Sequence, residues 1–150
     1  MVAAAMKIAL LYMVVIYVDQ GLLSWQCMTR SILIAPLAGL VIGDFKTGIL
    51  MGAELEAIFM GISAIGGSIP ADATMASVIA VAYTVLTGAT IEEGIAIAYP
   101  IGTVIASLAA TLTPVWAMFA PFWEKLAAEC KPTKFLVTNL VIGFIQAGLV

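Results

Sequence analysis

Three acidic side chains stand in or beside apolar stretches of this 150-residue sequence: Glu54, Glu56 and Asp72. A carboxylate at bilayer depth costs at least about a few kcal/mol unless it is paired or protonated, so an acid there is a functional candidate by default. Glu56 lies in an otherwise oily run that follows Gly48. Glu54, two positions earlier, projects about 200° away on a helix, so the two cannot share one ligand face as general acid and base. Neutralisation, or capping of the backbone amides of a re-entrant hairpin, is the alternative role for either glutamate. Asp72 follows Pro70 and Ala71 and opens the apolar run 73–87. That is the place of an N-cap, whose carboxylate accepts amide hydrogens from the next turn. A capping aspartate at a broken helix can also turn an oxygen toward a cavity and accept hydrogen bonds from sugar hydroxyls, and the two roles are compatible. Gly66, Gly67 and Ser68 just upstream either let the backbone approach a ligand closely or simply make a turn. Asp44, with Lys46 and Thr47, reads as a solvated turn in which the aspartate caps the following helix.

Composition narrows the chemistry open to these acids. With 63% of positions hydrophobic and only 10% charged, a soluble domain of this size would expose large apolar patches, so the chain is expected to sit in a lipid bilayer. A formal charge of −3 and six scattered Lys and Arg exclude a phosphate-tracking stripe and hence nucleic acid as a partner. The sequence has no histidine. That removes a histidine zinc site, a Ser-His-Asp triad and a phosphohistidine, so no catalytic phosphotransfer residue is expected on this chain. Carboxylates without histidine leave too few ligands for a metal site, and no cofactor is expected. Cys27 and Cys130 fit no metal spacing or disulfide framework and read as lone packing thiols; Met51 and Met60 likewise read as packing.

The elements that must hold these residues are short. Residues 2–18, interrupted only by Lys7, reach about 26 Å as a helix, a short span that is retained rather than cleaved as a signal. A polar patch, 19–30, precedes the run 31–43, too short for a straight crossing of about 30 Å of hydrocarbon. The run 49–67 is apolar except for Glu54, Glu56 and Ser63, and 73–87 leads to a loop at 88–93 whose Glu92 and Glu93 face water. Residues 94–123 carry Pro100, Pro114 and Pro121, expected to break that run into two or more pieces. A charged loop, 124–134, holds Lys125, Lys131 and Lys134, which the excess-cation rule places on the cytoplasmic side, before a last apolar run from 135 onward. The pairs Gly39/Gly43 and Gly48/Gly52 offer smooth faces for helix packing. Tyr17, Trp25, Trp116 and Trp123 sit where interfacial anchors would. Leu40-Val41-Ile42-Gly43 and Leu140-Val141-Ile142-Gly143 form a weak internal echo. The expected fold is all-α: one polytopic transmembrane region over 1–150, with short, broken or re-entrant helices around a glycine-rich core motif. Non-helical backbone at membrane depth survives only where protein or a wet cavity covers it, and in secondary transporters such breaks mark the solute site.

The central block resembles one family. Gly43-Asp44-Phe45-Lys46-Thr47-Gly48, then Gly52-Ala53-Glu54-Leu55-Glu56, then Met60-Gly61, then Ile65-Gly66-Gly67-Ser68-Ile69-Pro70-Ala71-Asp72, is similar in order and spacing to the membrane subunit IIC of the mannose/fructose/sorbose group of sugar phosphotransferase systems. Ala96-Ile97-Ala98-Tyr99-Pro100 also resembles that family's A-I-P element. The resemblance covers about residues 30–105, and it identifies the chain as an N-terminal part of a longer IIC transport domain. It implies a multi-pass protein of the bacterial inner membrane that pairs with a IID subunit, in threefold arrays of IIC-IID pairs. Such a subunit takes a hexose-type sugar from outside by an elevator-like movement and presents it to IIB, the phosphate coming from phosphoenolpyruvate through IIA and IIB on other chains. Carried over by position, the sugar-site candidates are Gly66, Gly67, Ser68 and Asp72, with Glu56 as a supporting or ligand-contacting acid. Two departures stand out. Some relatives have Asn where this chain has Ala64, which would change sugar preference or shift the contact to Ser63 or Ser68. Many have Pro directly before the aspartate, where this chain has Ala71. Two other functions fit the residues without the resemblance: an ion- or proton-coupled carrier titrating Glu54, Glu56 and Asp72, and a truncated, non-transporting interaction subunit using its glycine faces.

Overall fold

The computed structural model describes residues 2–22, 27–62 and 70–149, and every described element is helical. Helix α1 (Val2–Ile16) runs into a π-helical turn, Tyr17–Leu22. The expected polar patch therefore begins inside a helix, and Asp19 is buried rather than solvated. Helices α2 (Ser31–Ile42) and α3 (Phe45–Phe59) form a hairpin, followed by α4 (Ala73–Thr87), α5 (Ile91–Ala117), α6 (Ala120–Ala128) and α7 (Pro132–Leu149). The 12 residues of α2 and the 15 each of α3 and α4 extend about 18 and 22 Å, short of a straight crossing. Helix α5, with 27 residues, is long and apolar enough to cross a membrane.

Helices α2 and α3 each bury one face. In α2 the buried positions are Ser31, Ile34, Ala35, Ala38 and Gly39; in α3 they are Gly48, Met51, Gly52, Leu55, Glu56 and Phe59. Both follow the three-and-four spacing of a single helical stripe. Close approach of the two stripes requires glycine. A Cβ added at Gly48 would lie 2.7 Å from the Ala35 carbonyl oxygen and 3.1 Å from Gly39 Cα, and one at Gly39 would lie 2.6 Å from the Asp44 carbonyl oxygen. Gly43 ends α2 at φ +113°, which only glycine adopts at little cost. Helix α4 is the centre of the molecule, buried at Thr74, Ala76, Ser77, Val78, Ala80, Val81, Ala82 and Thr84. Helix α5 meets it through a ladder of small residues, Gly94, Ala98, Gly102 and Ala106.

Several expectations are corrected. Pro100 and Pro114 lie inside α5 without interrupting it. Their missing N–H groups free the Ala96 and Ala110 carbonyls, a loss that apolar helices of membrane proteins tolerate. The run 94–123 does fall into two pieces as expected, but at Met118 and Phe119, with Pro121 in the first turn of α6, where its missing N–H costs nothing. Residues 124–134 are not a loop: they are the end of α6, a short turn and the start of α7. The loop expected at 88–93 is shorter, because a Thr90–Glu93 capping box starts α5 at Ile91, leaving Glu92 and Glu93 exposed in its first turn. Cys27 and Cys130 are free thiols but exposed, each on a turn residue at positive φ, so neither packs. Met51 is a core residue, whereas Met60 is exposed. The repeated Leu-Val-Ile-Gly has no structural counterpart, since Gly43 ends a helix and Gly143 lies within α7. Tyr17 packs edge-on against Phe144, and Phe119 touches both Trp116 and Trp123; Trp25 lies outside the described residues.

Candidate functional site

Glu54 and Glu56 part as the helical angle requires: Glu54 is exposed and Glu56 is on the buried stripe of α3, at 8% exposure. The Glu56 carboxylate is fully engaged. Arg30 Nη2 donates to Oε1, and the Ile32 amide donates to Oε2 at 3.2 Å. Glu56 thus closes the first turn of α2 from a neighbouring helix, placing negative charge where the helix dipole and its unpaired amides favour it. Arg30, at the N-cap position of α2, makes no side-chain cap of its own. Sequence reasoning missed this pairing. Its only signal was a lone cation at the start of one apolar run and a lone acid inside the next.

Asp72 is the N-cap of α4, its Oδ1 accepting from the Met75 amide at 2.9 Å. It is half-buried. Its backbone is pinned as firmly as its side chain, because the Asp72 amide donates to the Gly102 carbonyl of α5 at 2.9 Å. A Cβ at Gly102 would lie 3.1 Å from the Asp72 carbonyl oxygen, so glycine there lets α5 approach the start of α4. Gly102 was not legible as a site residue, although glycine in a four-residue ladder of small side chains is a packing signal.

The other candidates divide. Ser63, Gly66, Gly67 and Ser68 lie outside the described residues. Asp44 caps α3 as expected, Oδ1 accepting from the Thr47 amide at 3.1 Å and Oδ2 from the Thr47 hydroxyl at 2.6 Å. The Thr47 hydroxyl and amide hold its carboxyl below the usual carboxylate value.

Between Glu56 and Asp72 runs a band of polar contacts centred on residues 27–31. Asp19, 0% exposed, accepts from the Met28 amide at 3.0 Å and the Thr29 hydroxyl at 3.3 Å. The Thr29 carbonyl accepts from Thr74 Oγ1 of α4 at 3.0 Å. Ser77 Oγ donates to the Ala73 carbonyl at 2.6 Å and meets Ser31 Oγ at 2.8 Å. Four helices therefore converge on one polar layer: the end of α1, the starts of α2 and α4, and the last turn of α3. Such a layer inside an apolar chain can hold helix starts in register and present acceptors to a polar solute. Among the described residues no group of His, Cys, Asp and Glu could hold a metal ion.

Comparison with known proteins gives the family. The family model described as the sorbose-specific IIC component of the phosphotransferase system matches residues 2–150. The sorbose-specific EIIC component of Klebsiella pneumoniae is 32% identical over 105 residues, 68% of this chain and 38% of that protein. The putative N-acetylgalactosamine permease IIC component 2 of Escherichia coli K12 is 38% identical over 61 residues, 41% of this chain and 46% of the relative. The mannose-specific EIIC component of the same strain is 32% identical over 87 residues, 56% of this chain and 33% of its own. The chain thus spans less than half the length of these relatives. A solved structure, the mannose transporter ManYZ in complex with microcin E492, shares the fold at a TM-score of 0.70 and 22% identity, covering 99% of this chain and 60% of the other. On the family match over 2–150, the chain belongs to the IIC components of the mannose and sorbose phosphotransferase systems.

Proposed function

We propose that this chain binds a hexose-type sugar within a multi-pass region of the bacterial inner membrane, translocates it, and presents it to a IIB component for phosphorylation. Its partners on this reading are a IID membrane subunit, in a trimer of IIC-IID pairs, and the IIA and IIB phosphocarriers. Translocation is an elevator-like movement of the core. The short α2–α3 hairpin is re-entrant, and the phosphoryl chemistry belongs to the other chains, since this one has no histidine.

The observation that carries the reading is Asp72: a half-buried carboxylate at the start of the most deeply packed helix, with one oxygen on the Met75 amide and its backbone pinned to Gly102. Each hydrogen bond from a sugar hydroxyl to a charged acceptor is worth roughly 1.5–3 kcal/mol net, and an acceptor whose position is already fixed loses little of that to ordering. Asp72 is the direct ligand, with Gly66, Gly67, Ser68 and Ser63 supplying the neighbouring contacts. Glu56 has both oxygens occupied within the protein, so its part is support.

The test is Asp72→Asn in membranes co-expressing IIA, IIB and IID. Asparagine caps a helix about as well as aspartate, so the helix start survives while the charged acceptor is lost. Phosphoenolpyruvate-dependent sugar phosphorylation is expected to fall about tenfold or more with IIC-IID assembly intact. Normal phosphorylation by this variant would leave Asp72 as a cap only. Transport by the unsubstituted complex that follows an ion gradient and yields unphosphorylated sugar would replace the reading with an ion-coupled carrier.

A further inference from the structure

We propose that Asp19 is a positioning residue for the sugar site, holding the segment before α2 so that this segment in turn holds the first turn of α4. The inference rests on the sugar-site reading above. A carboxylate with no exposed surface must be satisfied internally. Asp19 is satisfied by two neutral donors on consecutive residues, the Met28 amide at 3.0 Å and the Thr29 hydroxyl at 3.3 Å. These bonds cross from the π turn at the end of α1 to a segment nine and ten residues away. π turns recur where a helix re-aims a functional side chain, and here the side chain re-aimed is Asp19.

What Asp19 holds is a strap with outlets on both sides. From the Thr29 carbonyl a 3.0 Å bond leads to Thr74, two residues beyond Asp72 in the first turn of α4. From Arg30 an ion pair leads to Glu56 of α3, and from Ser31 a 2.8 Å contact leads to Ser77 of α4. The Asp72 oxygens face a sugar correctly only if the first turn of α4 is fixed relative to α2 and α3, and the strap is what joins them. The geometry needs an acceptor at Asp19 and does not need its charge. Asparagine could accept from the Met28 amide and donate to the Thr29 hydroxyl, which can turn to accept.

The test compares Asp19→Ala, Asp19→Asn and Thr74→Val in the full membrane complex. Phosphorylation kinetics are read together with hydrogen exchange at the amides of residues 74–76. Loss of folded protein lowers Vmax and leaves KM alone, whereas a displaced site raises KM. Asp19→Ala is expected to raise sugar KM about tenfold and to speed exchange at 74–76, with Thr74→Val acting in the same direction. Asp19→Asn is expected to restore KM to within about twofold and to restore exchange. Unchanged KM and exchange in Asp19→Ala, or in Thr74→Val should the first variant not assemble, would overturn the proposal. So would Asp19→Asn as damaging as Asp19→Ala, since charge would then be the operative property. If the unsubstituted complex phosphorylates no sugar, the sugar-site reading falls. Exchange at 74–76 still decides whether Asp19 governs the start of α4.

Discussion

The first turns of α2 and α4 are both closed by a carboxylate, but Glu56 reaches α2 from a neighbouring helix, whereas Asp72 belongs to the chain that enters α4. A local cap forms with its helix and depends on little else. A cap supplied from α3 exists only while α2 and α3 stay packed, so losing that packing removes the cap of α2 and leaves the carboxylate cap of α4 in place. The difference matters for a carrier on the reading proposed above, because a helix start held from outside can be released by moving its neighbour.

The sharpest way to break the comparison is to separate the hairpin. Gly48→Ala would set a methyl group 2.7 Å from the Ala35 carbonyl oxygen and 3.1 Å from the Gly39 and Pro36 Cα atoms. These contacts are backbone and cannot swing away. Overpacking of this kind costs about 3 kcal/mol, and displacing α3 withdraws Glu56 from Ile32. Thermal unfolding of the purified protein is expected to shift down. Hydrogen exchange is expected to accelerate more at the first turn of α2, which loses its cap, than at the first turn of α4, which keeps its own. Equal acceleration at both would mean that the two starts move as one body.

How much of this could be read in advance depended on the reach of each interaction. The Asp44 and Asp72 caps were legible because donor and acceptor are three residues apart. The divergence of Glu54 and Glu56 was legible because helical angle alone decides it. Gly39, Gly48 and Gly52 were legible as packing positions, though not that Gly39 and Gly48 meet each other, whereas Gly43 packs against nothing and serves to end α2. The burial of Asp19 within the polar patch was not legible, since hydropathy cannot show that a π turn carries the helix past the last apolar residue. Arg30 with Glu56, 26 residues apart, and Asp72 with Gly102 needed the tertiary arrangement. Of the three prolines in 94–123 only Pro121 lies at a break, because one missing N–H does not by itself end a long apolar helix.

A smaller effect separates the two functions of Glu56. Glu56→Ala removes the acceptor for the Ile32 amide together with the partner of Arg30, and is expected to cost about 2 kcal/mol. Glu56→Gln keeps an oxygen for the amide while losing the charge, so it is expected to recover about half of that loss. Unfolding midpoints of the two variants check the ordering. Identical losses would assign the whole contribution to the ion pair and none to the cap.

The smallest effect is expected at the local cap. Asp72→Ala leaves the Met75 amide without its acceptor, worth about 1 kcal/mol at a helix N-terminus, and Asp72→Asn is expected to cost almost nothing. The Gly102 carbonyl still holds the backbone at residue 72 in both variants, so α4 is expected to start at the same residue and exchange to quicken only at Met75. Stability and sugar chemistry therefore part company here. Asp72→Asn, the mildest of these substitutions by unfolding, is the one expected to be severe in phosphorylation, because it preserves the role the helix needs and removes the charged acceptor a sugar would use. Parallel losses in unfolding and phosphorylation across Asp72→Asn and Asp72→Ala would mean that Asp72 serves the helix alone.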